Sequence, residues 1–168
     1  RALMALAFID HVVLDADALT VFENNPEELF IDCYPHTILT PHEGEFKKIF
    51  GKEIDEINDR VLKTKEASIK SNTTVVLKGA NTIIASPSGD VVINKSSATY
   101  LATAGSGDVL AGIITSLVGK NKMNAFDAAC AGVWLHSEIG KILGAGMIAE
   151  DIIDLIPETV KKLHKIHQ

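Results

Sequence analysis

The sequence predicts an α/β fold, with a largely parallel sheet flanked by helices and one β-hairpin. Short β-branched apolar runs alternate with longer segments of helical periodicity, which is the pattern of α/β architectures. Near residue 88, two strand-like runs flank Ser-Pro-Ser-Gly-Asp, whose proline and glycine suit the tight turn of a hairpin. With 168 residues, 46% of them apolar, we expect residues 1–168 to form a single domain.

The predicted strands are short runs that stop at polar residues, glycine or proline. The first run stops at Asp15, as expected of a strand that is buried on both faces. Later runs stop at Thr40-Pro41 and at Lys78-Gly79. The predicted strands are residues 12–14, 36–39, 73–77, 82–85 and 91–94.

The predicted helices rest on apolar spacing and on residues typical of helix ends. Asn25 and Pro26 suit the N-cap and first position of a helix, and Gly51 suits a helix C-terminus. We expect Pro157 to split the last amphipathic segment into two pieces. The predicted helices are residues 23–30, 43–50, 55–71, 109–118, 125–143 and 150–166. The residues expected to face inward on the long helix 125–143 are Phe126, Ala129, Val133, Ile139 and Ile142, and Trp134 is also expected in the core rather than in a ligand site.

Composition excludes several classes of function. The formal net charge of −6 argues against a surface that neutralises the phosphates of DNA or RNA. No apolar run reaches the roughly 18 residues that span a bilayer, and no signal-peptide pattern opens the chain. Two cysteines are too few for a disulfide framework, and the histidines form no zinc-ligand spacing with them. We therefore expect a cytoplasmic protein that binds neither nucleic acid nor membrane.

The strongest candidate site is the turn Thr-Ala-Gly-Ser-Gly-Asp at residues 103–108, which leads into a helix. Its glycines allow a ligand close to the backbone, and the helix N-terminus presents N–H groups to an anion. Asp108 has the position to accept a proton from a hydroxyl while the turn stabilises a transferred phosphoryl group. The alternative is a structural turn in which Asp108 helps to cap the helix. The turn matches neither the P-loop nor the dinucleotide fingerprint.

Lys78 follows the third predicted strand, at the end of a parallel sheet where ligands commonly bind. It is a candidate for contact with a phosphate, with Gly79 allowing close backbone approach and Asn81 or Thr82 donating hydrogen bonds. The alternative is an ordinary Lys-Gly turn.

Two further pairs of polar residues follow predicted strands. His42 and Glu45 are placed to touch a ligand together or to hold a water on a metal, or else His42 is a satisfied polar residue at a helix start. Asp15 and Asp17 are placed to order water or magnesium, or to cap neighbouring backbone.

Taken in order, four stretches of the chain resemble the ADP/ATP-dependent NAD(P)H-hydrate dehydratases of the ribokinase-like superfamily. The stretches are residues 14–19 (Leu-Asp-Ala-Asp-Ala-Leu), 39–46 (Leu-Thr-Pro-His-Glu-Gly-Glu-Phe), 76–82 (Val-Leu-Lys-Gly-Ala-Asn-Thr) and 102–112. The Gly-Ser-Gly-Asp turn alone would indicate only the superfamily, which also includes small-molecule kinases. The first two stretches select the dehydratase branch.

The resemblance implies a three-layer ribokinase-like fold, of which this chain would be the C-terminal portion. Chains of the family are longer and contribute N-terminal strands to the sheet and the pocket. We therefore expect a preceding segment, or another copy in a homo-oligomer, to complete the fold. Residues 94–101 depart from the family's pattern before the glycine turn, and nucleotide contacts from 96–99 are left unassigned.

The resemblance also implies a repair reaction, in which hydrated NADH or NADPH loses water with the consumption of ADP or ATP and with Mg²⁺ as cofactor. Asp108 would be the catalytic base and would contact the hydrated cofactor, as would His42. Glu45 would help to order Mg²⁺ through water. The residues that would bind the nucleotide are Lys78, Gly79, Ala80, Asn81, Thr82, Thr103, Ala104, Gly105, Ser106 and Gly107.

Two other functions fit parts of the pattern. One is a kinase that phosphorylates a pyrimidine, thiazole or sugar alcohol with Asp108 as base. The other is a non-catalytic nucleotide-binding remnant, against which the intact Gly-Ser-Gly-Asp turn argues.

Overall fold

A five-stranded sheet lies at the centre of the computed structural model, which describes residues 2–95 and 99–166. The strands, which lie side by side in chain order, are β1 (Val12–Leu14), β2 (Thr37–Leu39), β3 (Thr74–Leu77), β4 (Thr82–Ala85) and β5 (Val91–Asn94). The pairs β1–β2 and β2–β3 are parallel, whereas β4 is antiparallel to β3 and to β5. Of the described strands, only β4 is therefore reversed, and the predicted largely parallel sheet with a hairpin is confirmed.

Helices cover both faces of the sheet. They are α1 (Ala2–Phe8), α2 (Asp17–Thr20), α3 (Pro26–Asp32), α4 (Glu43–Asp55), α5 (Arg60–Ser71), α6 (Ser106–Gly119), α7 (Ala125–Leu143) and α8 (Ala149–Ile166), with a short 3₁₀ turn at Thr99–Leu101. None of the described helices is long and apolar enough to cross a membrane.

The alternation of side chains along the strands separates two cores. Leu14, Leu39 and Val75 face α1–α5, while Val76 and Ile84 face α6 and α7. Helix α8 packs on the outside of α6 and α7 in a third cluster. The molecule thus has the predicted order of helices, sheet and helices.

Of the two helix boundaries predicted between β2 and β3, one agrees with the structure and one differs. Gly51 ends the first part of α4 as predicted, since its backbone is non-helical (φ 71°, ψ 179°) and kinks the chain, and a second short part continues to Asp55. The next helix begins later than predicted, at Arg60, because the Asp59 carboxylate accepts hydrogen bonds from the N–H groups of Val61 and Leu62 and so forms the N-cap.

Pro157 does not split the last helix, contrary to the prediction, since α8 runs without a break from Ala149 to Ile166. Apolar side chains on both sides of the proline, Ile152 and Val160 among them, pack against α6 and α7 and keep the helix in place. Pro157 has no N–H to donate to the carbonyl of Ile153, and the Ile153 residue is exposed.

Two predicted inward residues of α7 face solvent. Ile142 is 55% exposed and Trp134 is 39% exposed. At the end of α7 it is Leu143 that continues the contact with α8. Trp134 lies between buried Val133 and Leu135 but points away from the core, so its prediction as a core residue is wrong.

Helix α7 also carries a buried histidine that contacts the first residue of α6. His136 Nε2 lies 3.0 Å from the carbonyl oxygen of Ser106. Because a carbonyl only accepts, Nε2 carries the hydrogen. Burial lowers the pKa of His136 to about 4, although the hydrogen bond to Ser106 opposes this shift.

This histidine makes folding stability sensitive to acid. Above pH 6.5 the ring is neutral in both the folded and the unfolded chain, whereas between pH 6.5 and 4 only the unfolded chain binds the proton. From pH 6.5 to 5 we expect the free energy of unfolding to fall by about 2 kcal/mol more in the native protein than in His136→Gln. Urea unfolding at several pH values measures this, and parallel curves for the two proteins would contradict it.

Two helical glycines offer a matched test of the packing of α6 on α7. A Cβ at Gly132 would lie 2.6 Å from Cγ1 of the fully buried Ile114, whereas a Cβ at Gly112 would meet no described atom within 4 Å. We expect Gly112→Ala to raise the free energy of unfolding by about 1 kcal/mol. Gly132→Ala should lower it by about 1 kcal/mol, since overpacking outweighs the gain in helix propensity. Urea unfolding compares them, and equal stabilisation would show that Ile114 repacks freely.

Candidate active site

The candidate site is a pocket of about 650 Å³ at the carboxyl ends of the parallel strands, bounded by α6 and α7. Predicted site residues in its wall are His42, Lys78, Gly79, Ala80, Thr82, Thr103, Ser106 and Gly107. Asn81, Ala104, Gly105, Asp108 and Glu45 are next to these wall residues in the chain or in space. Residues 96–98 lie outside the described residues. The structure thus brings three of the sequence motifs to one cavity.

An ion pair joins the ends of β1 and β3. Lys78 Nζ lies 2.6 Å from Asp15 Oδ1, with side chains that are 20% and 12% exposed, and 3.8 Å from Glu45 Oε2. The Lys78 N–H donates to the carbonyl of Pro41 after β2. Asp15 is thus the counter-ion of Lys78, whereas Asp17 is exposed and begins α2, so the two carboxylates do not act together.

Ala16 turns the chain sharply between these two aspartates. Its φ of 50° and ψ of −124° lie in a region that side chains with a Cβ rarely adopt. Such a conformation costs of order 1–3 kcal/mol and persists only where surrounding contacts hold it. Here the turn separates Asp15, directed to Lys78, from Asp17 in α2.

His42 and Glu45 form a reciprocal cap at the start of α4. Glu45 Oε2 accepts from the His42 N–H at 2.8 Å, and His42 Nδ1 accepts from the N–H groups of Gly44 (2.9 Å) and Glu45 (3.2 Å). Because Nδ1 accepts, the ring hydrogen is on Nε2, 3.4 Å from Glu45 Oε1. Glu45 is buried, whereas the His42 side chain is 59% exposed at the pocket. The helix-start interpretation therefore describes the geometry, and the His42 ring is still open to a ligand.

The glycine turn begins α6 three residues earlier than predicted. Gly105, with φ 82°, is the residue before the helix, and the Ser106 hydroxyl donates to the Leu101 carbonyl at 2.6 Å. Gly107 and Asp108 therefore lie in the first turn, where N–H groups have no partner within the helix. The Asp108 side chain is exposed.

Gly107 is the point at which the ion pair meets α6. A Cβ at this residue would lie 3.5 Å from Lys78 Nζ and 3.6 Å from Asp15 Oδ2. An ammonium group, unpaired N–H groups and an exposed carboxylate thus lie together at one helix N-terminus. This arrangement suits binding of a phosphate next to a group that accepts a proton.

Sequence reasoning missed two residues that contact the site. Arg60 donates to the carbonyls of Asn81 (2.7 Å) and Lys78 (3.4 Å). In the sequence it is only the first residue after a helix N-cap, and no motif indicates a functional role. His136 lines the pocket and contacts Ser106. A histidine on an otherwise apolar helix face was the signal for the second.

Comparison with known proteins gives the same family as the motifs. A family model described as NAD(P)H-hydrate dehydratase matches residues 3–158. An ADP-dependent (S)-NAD(P)H-hydrate dehydratase from Neisseria meningitidis is 40% identical over 150 residues, which are 84% of this chain and 50% of that protein. The bifunctional NAD(P)H-hydrate repair enzyme Nnr of Escherichia coli is 34% identical over 161 residues, which are 89% of this chain and 30% of that enzyme.

Solved structures agree with the fold. The ADP/ATP-dependent NAD(P)H-hydrate dehydratase from Bacillus subtilis, co-crystallised with ATP/Mg²⁺ and soaked with CoA, superposes with a TM-score of 0.74 at 27% identity, over 94% of this chain and 60% of that one. A ribokinase-like superfamily protein from Enterococcus faecalis superposes with a TM-score of 0.77 at 23% identity, over 95% of this chain and 58% of that one. The ribokinase-like fold is therefore confirmed.

The chain spans half the length of the Neisseria protein and under a third of the E. coli enzyme. The match over residues 3–158 nevertheless includes all four motifs and every described strand. On these grounds the chain belongs to the NAD(P)H-hydrate dehydratase family.

Proposed function

We propose that this protein acts in the ADP- or ATP-dependent dehydration of hydrated NADH or NADPH, which restores the intact dihydronicotinamide. The observation that carries the proposal is the position of Asp108. Its exposed carboxylate lies in the first turn of α6, next to Gly107, where the Lys78 ammonium approaches the helix N-terminus. The Neisseria relative is named for this dehydratase activity with ADP.

Dehydration is difficult because hydroxide is a poor leaving group, and phosphorylation of the ring hydroxyl replaces it with phosphate, which is a good one. Asp108 accepts the proton of the ring hydroxyl, and the oxygen attacks the terminal phosphorus of the nucleotide as the bond from that phosphorus to its bridging oxygen breaks. The carbon–oxygen bond then breaks with loss of phosphate, assisted by the lone pair of the ring nitrogen. Loss of a proton from the neighbouring ring carbon restores the double bond.

The chain's own groups favour the phosphoryl transfer step. The unpaired N–H groups of Gly107 and Asp108 face the charge that develops on the phosphoryl oxygens, and Lys78 lies beside them. Residues assigned by this proposal to the nucleotide are Lys78, Gly79, Ala80, Asn81, Thr82, Thr103, Ala104, Gly105, Ser106 and Gly107.

His42 is assigned to the hydrated nicotinamide. Its Nδ1 is occupied by backbone N–H groups, so Nε2–H, which lies 3.4 Å from Glu45 Oε1, is the ring donor left for a ligand. Because α4 holds the ring through the reciprocal cap, this donor has a fixed direction before any ligand binds.

The donor set fits Mg²⁺ bound with the nucleotide. The carboxylates of Asp15, Glu45 and Asp108 lie beside residues of the pocket wall, in which Lys78 is the one lysine or arginine among the described residues, so a polyphosphate needs an accompanying cation. No cluster of three or more His, Cys, Asp or Glu side chains converges on one point within residues 2–95 and 99–166. Phosphate oxygens and waters would therefore supply most ligands, with Glu45 acting through water. The ion would neutralise phosphate charge.

We place this reaction in the cytoplasm. Both cysteines are free, and burial raises the pKa of Cys33 to about 12 and that of Cys130 to about 11. Thiols held in the protonated form suit a protein that needs no disulfide.

Replacing the proposed base tests the assignment. We expect Asp108→Asn to lower kcat by about 10²- to 10⁴-fold, because the amide cannot accept the proton. ADP binding should stay within about twofold. The assay follows the absorbance of dihydronicotinamide regenerated from hydrated NADH with ADP and Mg²⁺, with calorimetry for ADP binding.

Asp127→Asn is the matched control, since Asp127 lies in the first turn of a different helix, α7, where its carboxylate accepts a hydrogen bond from Asn124. It should keep native kcat. Native turnover in Asp108→Asn would remove Asp108 from the role of base. Phosphorylation of a pyrimidine or thiazole alcohol, without recovery of NADH, would replace the proposal with a small-molecule kinase.

The Lys78–Asp15 pair allows binding and stability to be separated. Lys78→Met should raise the Kd of ADP at least about tenfold and, by leaving the Asp15 carboxylate without its partner, lower the free energy of unfolding by about 1–3 kcal/mol. Adding Asp15→Asn should restore stability but not ADP affinity. Calorimetry and urea unfolding measure the two effects, and an unchanged Kd in Lys78→Met would exclude Lys78 from the nucleotide site.

A further inference from the structure

We infer that Arg60 is a positioning residue that fixes the loop of residues 78–81 between β3 and β4. The inference rests on the proposed function, in which this loop binds the nucleotide. Arg60 is the first residue of α5 and is not in the pocket wall. Its effect would therefore pass through the backbone of the loop.

The Arg60 guanidinium uses each of its nitrogens. Nη1 donates to the carbonyl of Asn81 at 2.7 Å, Nη2 donates to the carbonyl of Lys78 at 3.4 Å, and Nε donates to Glu43 Oε1 at 2.6 Å. The two carbonyls lie at the two ends of the 78–81 loop. One rigid planar group thus sets the distance between those ends.

Gly79 makes this close approach possible. A Cβ there would lie 2.7 Å from Arg60 Nη2, so any larger residue would push the guanidinium away. The Gly79 carbonyl accepts from the Thr82 hydroxyl at 3.1 Å. Together, Arg60 and Thr82 hold the carbonyls of three of the loop's residues.

The guanidinium is itself held in place from α4 and α5. Partial burial opposes ionisation of Glu43, but hydrogen bonds from Lys63 and Arg60 outweigh it and lower the pKa of this carboxyl. Lys63 Nζ lies 2.8 Å from Glu43 Oε2 and is 8% exposed. Glu43 therefore stays charged and keeps the Arg60 side chain directed at the loop.

The charges of Arg60 and Lys63 are already matched by those of Glu43 and Asp55, which distinguishes positioning from direct attraction of phosphate. What Arg60 contributes to the site is the position of the Lys78 backbone, which it holds through a hydrogen bond to the Lys78 carbonyl. Because the side chain of Lys78 reaches Asp15 and Gly107, a shift of its backbone moves the ammonium in the site. Arg60 thus controls the placement of Lys78 from the opposite side of the loop.

The test compares Arg60→Lys and Arg60→Gln with Lys70→Gln. Lysine keeps the charge but cannot span two carbonyls. The control residue, Lys70, lies on the same helix, where it pairs with Glu27 and lies over the Phe30 ring. We expect both Arg60 variants to raise the Kd of ADP with Mg²⁺ about tenfold, or about 1.4 kcal/mol, by calorimetry. KM for ADP should rise in parallel, with kcat at saturating ADP within about twofold. Lys70→Gln should match the native protein.

The outcomes separate the clamp from the proposed function. Native ADP affinity in Arg60→Lys would show that charge alone matters, and native affinity in Arg60→Gln would overturn the inference altogether. Hydrogen exchange of the nucleotide-free protein gives a readout that does not depend on ADP. Exchange at residues 79–82 should rise in Arg60→Gln, and unchanged exchange would overturn the clamp even if the native protein bound no ADP.

A double-mutant cycle with Gly79→Ala tests the contact itself. Each single change should displace the guanidinium from the loop, so the double variant should bind ADP no more weakly than the weaker single variant. Additive losses would show that Gly79 and Arg60 act separately.

Discussion

The parallel pairing of β1, β2 and β3 brings Asp15, Thr40 and Lys78 to one edge of the sheet, although they come from distant parts of the chain. Further hydrogen bonds tie the strand ends to one another. The Thr40 hydroxyl donates to the Leu14 carbonyl, and the Lys78 N–H donates to the Pro41 carbonyl. The Lys78–Asp15 ion pair also joins two of these strand ends, and it lies next to Gly107 at the N-terminus of α6. The ion pair and these hydrogen bonds depend on the register of the three strands.

Much of the fold was predictable because it rests on local patterns. The hairpin strands and the long helix α7 have the predicted bounds, since turn chemistry and apolar spacing act over a few residues. The prediction at Pro157 was wrong because packing of the flanking turns outweighed a local helix breaker. Gly51, by contrast, interrupts α4 where its sequence position predicts. The prediction for Ile142 was wrong for a related reason, since apolar periodicity along α7 does not show where the contact between α7 and its neighbouring helices ends.

The candidate site was predictable as a set of motifs but not as a set of contacts. Glycine and charge patterns identified Lys78 and the turn before α6, because backbone access to a phosphate demands such residues. That Asp15 pairs with Lys78, and that Arg60 reaches the far side of the same loop, depend on distances between strands and helices. No spacing in the chain encodes those distances.

The unusual backbone at Ala16 has a consequence for the energetics of ligand binding. Surrounding contacts hold the alanine in this conformation, and the carboxylate before it is thereby kept where it meets Lys78. The free-energy cost of that geometry falls on folding and lowers the stability of the native chain. A ligand that arrives later need not order this turn, and more of its contact energy is expressed as affinity.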